Sequence, residues 1–200
     1  MYTSNMPAAS LDLVPNLIAA LSANQARARF ACLKDLVGIS RTQPEALYPH
    51  FDCFVRLLDS RNSIVRWNAT RILANLSAAD RESKIESILD KYLAPIQGTQ
   101  MIGAAVTIQS AAAIALAKPQ LADRIAGAIL GVRRAHYQTE ECRNVALGHA
   151  IQSFDRFFDL IRRKAPVELL VRAQLRNSRA GTRKKAEKFL KKHNRRVLGG

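Results

Sequence analysis

The residues able to do chemistry are few and scattered. Four histidines stand at His50, His136, His149 and His193. None forms a His-x-x-x-His or His-Glu-x-x-His pair, the spacings that bring two ligands to one helix face, so no zinc motif is present. His50 and Cys53 share a face at i, i+3, but two ligands do not make a site and no third stands near them. Glu140 and Glu141 follow His136 and have the chemistry of proton carriers. As two carboxylates in a helix's first turn, they fit better as complements to the helix dipole. Asp155 and Asp159 are i, i+4 neighbours beside Arg156, Arg162 and Arg163, the pattern of ion pairs on a solvated face. There is no Gly-x-Gly-x-x-Gly, no phosphate loop and no Gly-x-Ser-x-Gly. The expectation is a chain with no catalytic residues, no bound metal and no cofactor.

Charge carries more information. The net charge of the 200 residues is +15. Residues 1–155 hold sixteen Lys/Arg against thirteen Asp/Glu, a balance of +3, and residues 156–200 hold fifteen against three, a balance of +12. A near-neutral body with a cationic end suits an anionic partner, whether nucleic acid, acidic protein, anionic lipid or another polyanion. The densest stretch is Arg179, Arg183, Lys184, Lys185, Lys188, Lys191, Lys192, Arg195 and Arg196, with Glu187 the one acid among them. These nine cations are the candidate anion or nucleic-acid site. A plain alternative is a polar cap on the end of a repeat array. Trp67, the single tryptophan, neighbours Arg66 and Arg71. With Arg143 these residues make a candidate partner groove. Burial of Trp67 in the core or between repeats is the competing reading.

Cys32, Cys53 and Cys142 are far apart with no Cys-x-x-Cys, as expected of reduced thiols in a cytoplasmic protein. The opening MYTSNMPAAS lacks a basic region followed by an apolar run, so no signal peptide is expected. Residues 92–117 hold Lys/Arg/Asp/Glu nowhere, but Pro95, Gln97, Gly98 and Gln100 interrupt them. The remainder, Met101–Ala117, falls short of the roughly 20 residues a membrane span needs. It predicts the most buried helix of a soluble array.

Which elements would hold these residues? Apolar spacing at 3.6 residues and the Pro, Thr, Asn and Gly punctuation predict helices throughout. Asp12 is expected to cap a first helix containing Leu13, Val14, Leu17, Ile18 and Leu21. After a turn at Ser22–Asn24, Gln25–Val37 forms the next, ended by Gly38 and Ser40–Gln43. Thr42-Gln-Pro-Glu45 has capping-box spacing and would open a helix through Leu58. Asn62 closes a turn before a helix at about Ser63–Leu76. Further helices follow to Leu93, over Met101–Ala117, after Pro119, after Thr139, from Pro166 to Leu175 and over Thr182–His193. The basic last helix is expected to cover an apolar face made by Leu169, Leu170 and Leu175.

One phrase recurs. Val65-Arg66-x-x-Ala69 with Leu73 returns as Ile108-Gln109-x-x-Ala112 with Leu116, as Cys142-Arg143-x-x-Ala146, and as Thr182-Arg183-x-x-Ala186 with Leu190. The alanines are 43, 34 and 40 residues apart, and Arg27–Leu36 is a degenerate first copy. A unit of this length built from two helices is the mark of an α-solenoid, because one pair cannot bury its apolar stripe without neighbours. Leu57-Leu58-Asp59, a short turn, then Val65-Arg66 and Ala69 resembles the repeat of the HEAT/armadillo superfamily. The resemblance implies an all-α fold: a right-handed solenoid of about five HEAT-like helix pairs whose second helices line a concave surface. It aligns the family's aspartate and arginine with Asp59 and Arg66. Arg143 and Arg183 match the arginine alone, and the first and third copies depart from it. A single domain over 1–196 is expected, with 178–196 a basic terminal helix and 197–200 a disordered tail.

Two functions follow as expectations. The first is a non-catalytic scaffold for protein–protein interaction, with an unidentified protein partner. The second is sequence-blind nucleic-acid binding through the basic C-terminal helices. DNA glycosylases with a HEAT-like fold use a basic concave surface with aromatic and acidic residues. This chain has no aromatic-plus-aspartate cluster that matches theirs.

Overall fold

Helix propensity and punctuation act as expected over most of the chain. The structure, a computed structural model, describes residues 13–21 and 26–197, with side chains for 13–21 and 30–193. The Asp12 cap, the Ser22–Asn24 turn, the side chains of Arg27, Arg195 and Arg196, and residues 198–200 lie outside what it describes. The described residues contain α-helices and 3-10 turns and no strand. None of these helices is long and apolar enough to cross a membrane. The backbone gathers into two compact units, 1–85 and 86–200.

In the first unit, α1 (Val14–Ala20) carries Pro15 in its first turn, where a missing N–H costs no hydrogen bond. It packs on α2 (Ala26–Thr42). This second helix runs through Gly38 and does not stop there, a correction to the sequence reading. Ser40 and Thr42 send their hydroxyls back to the carbonyls of Val37 and Gly38, at 2.8 and 3.4 Å. They thus satisfy the helix they sit in and cap nothing after it. Thr42 is therefore no capping box. The next helix, α3 (Pro44–Leu47), starts at Gln43 without a side-chain cap. A 3-10 turn containing Pro49 separates it from α4 (Phe51–Leu57), so the expected single helix is broken in two. Proline has no N–H to continue the ladder.

Asn62 opens α5 (Ser63–Leu76) by accepting from the N–H groups of Ile64 and Val65, at 2.9 and 3.4 Å. Helix α5 packs against both α2 and α4. Asp80 accepts from the N–H groups of Lys84 and Ile85, at 2.9 and 3.2 Å, and from the Tyr48 hydroxyl at 2.7 Å. These bonds hold Ser83 in the left-handed region, φ 57°.

The second unit repeats one arrangement. Helix α6 (Lys84–Leu93) is followed by α7 (Met101–Ala117), α8 (Ala122–Leu130), α9 (Glu140–Phe157), α10 (Ala165–Ala173) and α11 (Ala180–Val197). The second helices stack in order, α7 on α9 and α9 on α11, and the first helices follow, α8 on α10. Arg124 of α8 also pairs with Glu86 and Asp90 of α6. Helices α8 and α10 pack back on α9 and α11, which is the layering of α-α repeats. With two pairs in the first unit and three in the second, the described residues hold five pairs. Thr139 caps α9 through the N–H of Cys142 at 3.1 Å, with Glu140 and Glu141 in the first turn.

The recurring alanines all lie in the core. Ala69, Ala112, Ala146 and Ala186 are all 0 % exposed. A methyl group there lets helices approach where a larger side chain would force them apart. The arginines three residues before Ala69 and Ala186 have a local duty. Arg66 donates to the Ser60 carbonyl at 2.6 Å, and Arg183 to that of Asn177 at 2.7 Å, each six residues back. Both stitch the loop that precedes the second helix.

Candidate functional site: a cationic cleft between two second helices

Three things lock α11 to α9. Phe189 is buried against Phe158, edge on, with ring centres 5.0 Å apart. Burying such a ring stabilises the contact by about 1.5–3 kcal/mol. Thr182 donates to the Asn144 carbonyl at 2.8 Å, and Asn177 to the Asn144 side chain at 2.8 Å. Asp155 accepts from Lys192 at 2.9 Å and from His193 Nε2 at 2.8 Å. Burial by itself would raise the Asp155 carboxyl, but the hydrogen bonds and charges of Lys192 and His193 outweigh it and hold the group below the usual carboxylate range. His193 lies between the rings of Phe158 and Phe189, and its Nδ1 is buried with no partner. Nε2 must carry the proton it gives to a carboxylate.

Between these contacts lies a cleft of about 270 Å³ lined by Ile151, Gln152, Asp155, Arg156, Lys185, Lys188 and Phe189. Its α9 residues, Gln152 and Arg156, and its α11 residues, Lys185 and Lys188, follow helical spacing. Ile151 and Phe189, each 1 % exposed, lie beneath the cleft and offer it almost no surface. Arg156 also donates to the Gln109 carbonyl of α7 at 3.0 Å, which fixes its guanidinium. Lys185 crosses close to Gly148. Burial, then the charge of Arg179, holds its amine below the ordinary lysine range. His149, hydrogen-bonded to Gln109, is likewise held low by burial and by Lys185 and Arg179. Arg156 and Lys188 are exposed and Lys185 is half-buried, and cations gathered without a free carboxylate attract anions.

The nine cations of the basic stretch divide by their surroundings. Arg179 pairs with Glu141. Arg183 donates to the carbonyls of Asn177 and Ser178, at 2.7 and 2.8 Å. Lys192 is held by Asp155. Lys185 and Lys188 line the cleft. Lys184 and Lys191 are exposed. Arg195 and Arg196 fall outside the described side chains.

The four partner-groove candidates are divided between the two units. Arg66 is spent on Ser60 and on the Ser63 hydroxyl at 3.0 Å. Trp67 is half-buried, and Arg71 reaches Asn68 at 3.5 Å. All three belong to the first unit, whereas Arg143, with a buried Nε that has no partner, belongs to the second.

Two expectations need correction. Asp155 does not pair with arginines on its own helix; it reaches across to α11. Leu169 and Leu175 are 64 % and 41 % exposed, so they are left uncovered, while Leu170 is buried. Val167, Leu170 and Val171 share one face of α10 at i, i+3, i+4, which leaves Leu169 on another, and Leu175 lies past the helix in a 3-10 turn.

Gln109, Gln152 and Arg156 were missed as site residues. The helical spacing of Gln152 and Arg156 was visible, but nothing local says which helix faces theirs. A second cleft, about 440 Å³, lies among Asp90, Gln97 and Arg124. Its charges are paired, Arg124 with Asp90 at 2.9 Å, so it offers no free charge to a ligand. No group of three or more potential metal ligands occurs among the described residues.

No protein-family model matches the chain, and no curated protein does. Among solved structures it is similar to a designed armadillo repeat protein, with 15 % identity, 88 % of this chain and 98 % of that one covered, and a TM-score of 0.42. The repeat architecture stands on the stacking of α7, α9 and α11 themselves.

Proposed function

We propose that this protein is a non-catalytic helical-repeat scaffold that binds another protein through the cleft between α9 and α11. The supporting observation is the cleft's makeup: Arg156, Lys185 and Lys188 face it, and its only carboxylate, Asp155, is saturated by Lys192 and His193. A saturated carboxylate is poorly placed to act as a base, and no nucleophile lines the cleft, so binding fits it better than turnover. Sequence-blind nucleic-acid binding is the second reading, favoured by exposed Lys184, Lys188 and Lys191. Against it, Arg179, Arg183 and Lys192 are occupied by protein acceptors. Phe189, the aromatic on this helix that could stack on a base, is buried.

Affinity capture with the full chain tests the choice, with and without nuclease, for the parent and for Arg156→Glu. A protein partner retained after nuclease and lost with Arg156→Glu supports the scaffold reading. Recovery of nucleic acid alone, or of partners that vanish with nuclease, overturns it.

A further inference from the structure

We infer that the α9–α11 cleft is a receptor for a carboxylate side chain, glutamate or aspartate, on an acidic segment of the partner protein. The inference rests on the protein-binding reading and adds the chemistry of the contact. Charge complementarity comes first: Arg156 offers a planar fork, and Lys185 and Lys188 converge from the facing helix. The rest of the lining argues for a peptide. The exposed Gln152 amide can both donate to and accept from a peptide group.

Size points the same way. At about 270 Å³ the cleft has room for one anchoring side chain. The neighbouring cations are also interrupted. Lys192 is given to Asp155 and Arg179 to Glu141, which breaks the row that a chain of phosphates would need.

Anisotropy with a short fluorescein-labelled poly-glutamate peptide tests this on the full chain. Two double variants remove the same charge from the same helix: K185Q/K188Q in the cleft and K184Q/K191Q outside it. Circular dichroism and melting check that both are folded. The cleft pair is expected to weaken binding about tenfold or more, and the outer pair less than about threefold, because a screened rim charge contributes little. Arg156→Gln, on the other helix, should reproduce the cleft loss.

Equal losses from the two pairs would mean that net charge alone binds the peptide, and would overturn the assignment. So would tighter binding of duplex DNA or of a phosphoserine peptide at the same salt. If the poly-glutamate peptide fails to bind while a nuclease-resistant partner is still lost with Arg156→Glu, the carboxylate assignment falls and the protein-binding reading stands.

Discussion

Glycine-to-alanine substitution should change sign between two helices of the second unit. Gly127, in α8, has open space where a Cβ would go: no atom lies within 4 Å. Alanine there removes the entropic cost of a helical glycine, a gain of about 0.8–1 kcal/mol. Gly148, in α9, is different. A Cβ would lie 2.9 Å from the Thr182 hydroxyl and 3.3 Å from the Lys185 amine. The lysine end can swing away at little cost. Thr182 cannot, because it is 1 % exposed and donates to the Asn144 carbonyl at 2.8 Å.

Overpacking costs about 1–3 kcal/mol, and disturbing that hydrogen bond about 1 kcal/mol more. Against a propensity gain of about 1 kcal/mol, Gly148→Ala should lose about 1–3 kcal/mol net. In a chain of this length each kcal/mol moves the melting temperature by about 2–4 °C. Thermal melts followed by circular dichroism should therefore show Gly127→Ala above the parent and Gly148→Ala below it. If both variants melt higher, the close approach of α11 to α9 at Gly148 is wrong, and the placement of Lys185 with it.

Two other predictions follow from the same packing. Ala112→Leu puts three extra carbons into a fully buried position of α7 and should cost about 1–3 kcal/mol in a urea titration; a midpoint equal to the parent's would refute the repeat alignment at that copy. Asp155, held below the usual carboxylate range, contributes stability that is present above its unfolded pKa of about 3.9 and is lost as pH falls through its lower folded value. Melts across acid pH should show Asp155→Asn less stable than the parent near neutrality and converging on it below about pH 4; parallel curves would show that Asp155 contributes nothing through its charge.

The helices and their pairing were legible in the sequence, for local reasons. Asn62, Thr139 and Pro119 act on backbone groups within a few residues of themselves, so their effect needs no tertiary information. The alanine phrase was legible because every copy solves the same problem of close helix contact, and Ala69, Ala112, Ala146 and Ala186 are all buried. Two local readings still failed. Gly38 does not end α2, because a helical glycine costs only about 1 kcal/mol, which the burial of Leu33, Leu36 and Ile39 around it outweighs. Thr42 does not cap, because its hydroxyl has a helical carbonyl of its own to satisfy.

Composition placed a cationic surplus in the last 45 residues, but charge counted along a chain does not say which cations are free. That depends on acceptors 37 or 38 positions away: Glu141 for Arg179, Asp155 for Lys192 and His193. Such pairs form only when α11 is laid against α9. Stacking one repeat on the next therefore decided that Lys185 and Lys188 meet Arg156 in a cleft while Arg179 and Lys192 hold the fold together. The sequence by itself determined which helices exist and where they touch most closely. The tertiary structure decided which charges remain for a partner, because electrostatic pairing depends on distance through space and not along the chain.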